Sequence, residues 1–174
     1  MNIIIGNSIA TIASVLMIYV GMIKERKKIL FVQILQIMLL VISNFVLGGI
    51  VGGIINIICV IRNILSYYDK LDLKWKIILS VLSVGLSITF NNLGMIGLLP
   101  MFSTVLYIWL MNIKDVIKFK WLIVFTNFTW LIYDIMIISI VTAVCDLLSV
   151  ITGVISINSI KKDNKNKKDK EKEQ

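Results

Sequence analysis

Histidine is absent from this chain of 174 residues, proline occurs once and cysteine twice. Without imidazole, and without a CxxC pair, a zinc or haem site has almost no ligands to draw on, so the sequence calls for no cofactor and no metal. Cys59 and Cys145 both fall inside apolar runs, where thiols pack as small polarizable groups and form no disulfide framework. No nucleophile stands in a recognisable pairing with a base, which speaks against an enzyme. Charge is sparse too: 16% of the residues carry it, gathered into a few short clusters. The net charge of +8 therefore forms no basic stripe interleaved with aromatics, and nucleic acid is excluded as a partner.

What the chain has in excess is apolar surface. A hydrophobic content of 58% and a mean hydropathy of +0.92 leave too little polar surface to face water, which makes the lipid bilayer the principal partner. The apolar runs between the charge clusters have the length that a ~30 Å hydrocarbon core demands, and they lack the short alternating segments of a β-barrel. The predicted fold class is all-α and multi-pass, with helices at Ile3–Ile23, Ile29–Leu47, Ile50–Tyr68, Ile77–Phe90, Gly94–Met111, Trp121–Ile138 and Ile140–Ile160. The run from Ile29 to Tyr68 holds Arg62 as its one charge and is too long for a single crossing, so it turns back at Gly48 and Gly49. Met1 to Asn7 carries no positive side chain and no small-x-small cleavage site closes the apolar run ahead of Lys24, so the first run reads as a retained helix and not as a signal peptide.

Charge asymmetry orients the bundle. Lys24, Arg26, Lys27 and Lys28 follow helix one; Lys70, Lys74 and Lys76 follow helix three; Lys114, Lys118 and Lys120 follow helix five; the remaining lysines follow helix seven. Seven crossings with the N-terminus outside put every cluster, and Arg62 snorkelling from the inner end of helix three, on the cytoplasmic side. Dropping the short fourth helix would strand the Lys114 cluster outside. The expected location is therefore the cell membrane, with a cytoplasmic C-terminus and a disordered, solvated tail over 161–174.

Sliding the chain against itself by ninety positions pairs Lys24 with Lys114, Glu25 with Asp115, Lys28 with Lys118, Ser14 with Thr104, Tyr19 with Trp109, Asn44 with Asp134 and Asn56 with Asp146. Rare polar residues agreeing on two helices point to duplication. The expected organisation is a first triple-helix bundle over 1–68, a connector with helix four over 69–93 and a second bundle over 94–160, a 3+1+3 plan in which both copies run the same way through the membrane.

The stretches Ser43-Asn44-Phe45-Val46-Leu47-Gly48, Ile55-Asn56-Ile57 with Arg62, Leu99-Pro100 and Thr129-Trp130-Leu131-Ile132-Tyr133-Asp134 resemble the YgjV-type bacterial inner membrane family, itself similar to SWEET and PQ-loop transporters. The resemblance extends to about Ile160. It implies a carrier that works by alternating access, with substrate held between the bundles by residues of the third and seventh helices, here Asn56 and Asp146. SWEETs carry a proline in several bundle helices; this chain has Pro100 alone and no Pro-Gln pair.

Asp134 and Asp146 are the two carboxylates within apolar runs, where an ionised group costs at least ~2.5 kcal/mol. Counting from the outer turns puts them with Asn44 and Asn56 in the external half of the membrane, on helices two, three, six and seven. Trp130, four residues before Asp134, adds an aromatic wall on the same helical face, suited to a cation or a sugar. The candidate solute site is Asn44, Asn56, Trp130, Asp134 and Asp146, for a sugar, a vitamin or nucleoside, or a cation. The plainer alternative makes the asparagines interhelical glue, leaves Asp134 hydrated at the interface and makes Trp130 a belt anchor. Pro100 is a candidate hinge within helix five. Gly48, Gly49, Gly52 and Gly53 read as a close-packing surface. A receptor or assembly partner on the same fold is the alternative to a carrier, and a homo-oligomer stays open.

Overall fold

A computed structural model of the chain describes residues 2–47, 50–91, 94–136 and 140–172. Among them run seven α-helices: α1 (Asn2–Met22), α2 (Arg26–Val46), α3 (Ile50–Tyr67), α4 (Leu73–Phe90), α5 (Leu99–Leu110), α6 (Val116–Met136) and α7 (Ile140–Lys172), with a 3-10 turn at Ile96–Leu98 ahead of α5. The all-helical, multi-pass expectation holds. Five of the helices, α1, α2, α4, α6 and α7, are long and apolar enough to cross a bilayer, and Gly53–Tyr67 and Ile96–Leu110 form shorter apolar helices.

Helix ends depart from the hydropathy reading where side chains cap the backbone. The fourth helix begins at Leu73 because Asp72 Oδ1 accepts the Trp75 N–H at 3.0 Å, satisfying one of the orphan donors of a first turn. Lys74 and Lys76 thus join the helix, and the segment expected to be short is of full spanning length. Asp115 does the same for α6, taking the Lys118 N–H at 2.9 Å. The third helix closes through Asp69, whose φ of 55° is the left-handed conformation an aspartate tolerates, while the Lys70 N–H reaches back to Leu65 O at 2.7 Å.

Pro100 is placed differently from expectation. Helix five starts at Leu99, with Pro100 in its first turn, where the missing N–H was an orphan anyway and the fixed φ suits the helix start. It therefore breaks no hydrogen bond inside α5 and stands at the helix start, not mid-helix as expected of the candidate hinge. The expected disordered tail also differs: α7 continues through Ile160 to Lys172, because extending an existing helix needs no new nucleus. Lys24 Nζ holds the extension by bonding Ser159 Oγ and Asp163 Oδ2, both at 2.8 Å.

Helices adjacent in sequence pack against one another, and α1 also packs along α7, which closes the bundle. That last crossing is close. A Cβ at Gly21 would collide with the Thr152 side chain and the Gly153 backbone. Ser149, Thr152 and Ser156 of α7 donate to Met17 O, Ile18 O and Met22 O of α1 at 3.3, 3.4 and 3.4 Å. Small residues and hydroxyls are what bind helices in lipid, where the hydrophobic effect supplies no force between them. Of the glycines near the second turn, Gly53 lies against the Phe45 ring; Gly48 and Gly49 lie outside the described residues.

Large apolar side chains such as Val15, Met38, Val81, Phe125 and Ile155 face outward, as a lipid solvent requires. The buried apolar core, including Ile29, Leu30, Leu71, Leu79, Ile108, Met111 and Phe119, gathers toward the lysine-bearing ends. Those ends meet. Arg26 donates to Ser66 Oγ and Met111 O at 2.9 and 3.0 Å, Asn112 to Leu71 O at 2.8 Å, Lys76 to Trp109 O at 2.9 Å and Lys120 to Gly21 O at 2.7 Å. The α1–α2, α3–α4 and α5–α6 connections and the middle of α7 thus share one end of the bundle.

Candidate functional site

The polar centre is built on α3, where Arg62 and Asn63 are 7% and 0% exposed. Five positions separate Arg62 from the end of α3, which at ~1.5 Å per residue puts its Cα about 8 Å below the basic end. The buried side chain turns inward onto α5. Its Cζ lies 4.5 Å from the centroid of the Tyr107 ring of α5, and its Nε donates to Asn63 Oδ1 at 3.0 Å. The Tyr107 hydroxyl donates in turn to Gln33 Oε1 of α2 at 3.0 Å. The same ring tilts against Phe119 of α6 at 6.2 Å, and the Arg26 guanidinium stands 5.5 Å from the Phe119 centroid. Two adjoining rings therefore stand between the cations Arg62 and Arg26, tying α2 and α3 to α5 and α6.

Two donors in this cluster are buried without a hydrogen-bond partner, Asn63 Nδ2 and Arg26 Nε. Leaving such a donor bare costs about 1–3 kcal/mol, so the cluster favours any acceptor that reaches it. Another buried cation, Lys120, is 2% exposed in the first turns of α6 and turns to α1, donating to Gly21 O. Among the described residues neither Arg62 nor Lys120 is in an ion pair, and Arg26 has only Asp69, at 3.5 Å. The centre carries an excess of positive charge and donors.

The residues singled out by sequence lie in the other half of the bundle. Asp146 is 6% exposed on α7, on the face that carries Ser149. Ser149 Oγ accepts from Asn127 Nδ2 of α6 at 2.8 Å while donating to Met17 O of α1. Asn44 donates within its own helix, to Leu40 O at 2.9 Å, and Asn56 is half-buried on α3. Trp130 packs edge-on against Tyr133, three residues along the same helix, at 5.8 Å. Asp134 lies on α6; its side chain is outside the description.

Sequence reasoning missed Gln33, Tyr107 and the burial of Lys120. Gln33 and Gln36 are amides three apart in an apolar run, as unusual there as Asn44, and that signal was present. Lys120 was hidden by placing the start of helix six at Trp121; the helix begins at Val116, which carries the lysine inside the bundle.

Comparison with curated proteins and with solved structures gave no match. A family model described as a bacterial inner membrane protein matches residues 4–164, which takes in α1 to α6 almost whole and the membrane part of α7. That match, together with several helices long and apolar enough to span a bilayer, shows a multi-pass inner membrane protein: the chain belongs to the Imp-YgjV family of bacterial inner membrane proteins.

Proposed function

We propose that the protein is a small-solute carrier working by alternating access, and that its solute is an anion, carrying a carboxylate or a phosphate, received at Arg62, Asn63, Tyr107 and Gln33. One observation carries this reading: a guanidinium inside the bundle, stacked on Tyr107 and free of any ion pair among the described residues. A cation held within a bilayer costs several kcal/mol unless something compensates it, and intramembrane ionisable groups mark solute or ion pathways. The sequence expectation, resting on the asparagines and the two aspartates, left a sugar, a vitamin or nucleoside, or a cation open and did not include an anion.

The cluster joins helices of both halves, as a centre for rocking motion would. In support of duplication, α2 and α6 are each 21 residues long with bounds ninety positions apart, and α7 starts ninety positions after α3. The shared basic end supports an orientation with that end and the C-terminus in the cytoplasm and the N-terminus outside. Asp146, buried on α7, is the group we assign to proton coupling.

The test is uptake by proteoliposomes of labelled carboxylates, phosphate esters, sugars and amines. Accumulation of an anion is expected, falling about tenfold or more in Arg62→Gln, with partial retention in Arg62→Lys, because a charge-assisted hydrogen bond is worth about 1.5–3 kcal/mol. Flux of amines that ignores the Arg62 variants would overturn the anion assignment, and absence of flux for every solute would overturn the carrier. Asp146→Asn is expected to abolish the response of uptake to an imposed pH gradient while leaving exchange across preloaded vesicles intact; an unchanged response removes Asp146 from coupling.

A further inference from the structure

A cleft of about 670 Å³ opens at the basic end, where α1 finishes and α2 begins, with neither Arg62 nor Tyr107 in its lining. Its polar rim is Lys24, Lys27 and Lys28 with Glu25, and its walls include Tyr19, Phe31 and Tyr67. The three lysines are not equivalent. Lys24 turns toward α7, bonding Ser159 and Asp163. Lys28 pairs with Glu25 at 2.8 Å across an exposed surface, a contact that a stronger anion can displace. Lys27 has its ammonium 6.0 Å from the Tyr67 ring and is in no ion pair among the described residues.

The apolar side of the cleft does not stop at its edge. Tyr19 and Phe31 are about half exposed, and Phe31 heads a line of outward-facing apolar residues, Leu35, Met38 and Ile42, spaced along one face of α2. A site with lysines at the helix ends and a greasy track running from them into the membrane has the two-part chemistry of a phospholipid.

We infer that this cleft binds an anionic phospholipid, its headgroup phosphate between Lys27 and Lys28 and one acyl chain along Phe31, Leu35 and Met38. Basic pockets between helices on the cytoplasmic side are suited to such headgroups, and the aromatic rim sits where headgroup meets acyl chain. The inference is independent of the carrier reading, since it uses neither Arg62 nor Asp146.

The full-length protein, released from mixed phosphatidylglycerol and phosphatidylcholine micelles and weighed intact with its retained lipids, provides the test. One phosphatidylglycerol is expected to stay bound in preference to phosphatidylcholine. Lys27→Gln and Lys28→Gln should each weaken that preference about fivefold, the weight of one lysine at an anionic headgroup. Phe31→Ala should shorten retention of the bound lipid without altering headgroup preference. The control, Lys161→Gln with Lys162→Gln on exposed α7, should leave the preference intact. Equal retention of the two lipids by the parent, or a loss in the α7 variant matching that at Lys27 and Lys28, would overturn the site and leave only diffuse attraction to the tail.

Discussion

Gly21 and Gly85 are both helical glycines in apolar helices, yet they should respond to substitution in opposite directions. At Gly21 an added side chain meets Thr152 and the Gly153 backbone across the α1–α7 crossing, so Gly21→Leu is expected to cost about 1–3 kcal/mol by overpacking and to lower the melting temperature in detergent. At Gly85 nothing lies within 4 Å, so Gly85→Ala should raise stability by about 0.5–1 kcal/mol through reduced backbone entropy. Equal melting temperatures for the two variants would contradict the close crossing. Residues of this kind are the hardest to read in advance. Arg62 is one cation near a helix end, a pattern that suits snorkelling; the ring that keeps it inside is Tyr107, on another helix, and nothing local to α3 announces it. The contrast with Asp146 is useful: a carboxylate in an apolar run stands out from its own surroundings, and it is buried.

At the scale of elements, hydropathy located every helix, whereas side-chain caps set the starts of α4 and α6. Asp72 is the clearest case, since it converts Leu73 to Lys76 from connector into first turn and lengthens α4 to a spanning helix. Asp72→Ala is expected to cost about 1 kcal/mol and to speed exchange of the Trp75 amide, with amides in the middle of α4 little affected. Unaltered Trp75 exchange would remove the cap from the account. The chain announced this cap only weakly, because an aspartate beside lysines reads equally as part of a charged turn. Pro100 was misjudged for a related reason: the apolar run beginning at Gly94 places it mid-helix, but the segment before Leu99 winds as a 3-10 turn and leaves the proline at the start. The tail shows the converse error, since composition alone describes a free segment and not one continuing a helix and pinned through Asp163 to Lys24.

For the whole molecule, the distribution of lysine carried most of the information. Each cluster follows an odd-numbered helix, and the structure gathers the three odd-to-even connections and the middle of α7 at one end. Lipid makes such a pattern legible because charged turns are sorted by membrane side before any packing occurs. Which helices become neighbours is a different matter. The contact of α1 with α7 depends on Gly21 and three hydroxyls far from it in the chain, and the cationic centre arises only when α3 and α5 are brought together. The central claim, an odd number of crossings with one basic, inward-facing end, is tested most directly by tagging both termini of the full chain. Intact cells stripped of their outer membrane would then be probed with a label that cannot cross the inner one. The account predicts labelling of the N-terminal tag alone, with the C-terminal tag reached only after lysis; labelling of both tags, or of neither, before lysis would contradict it.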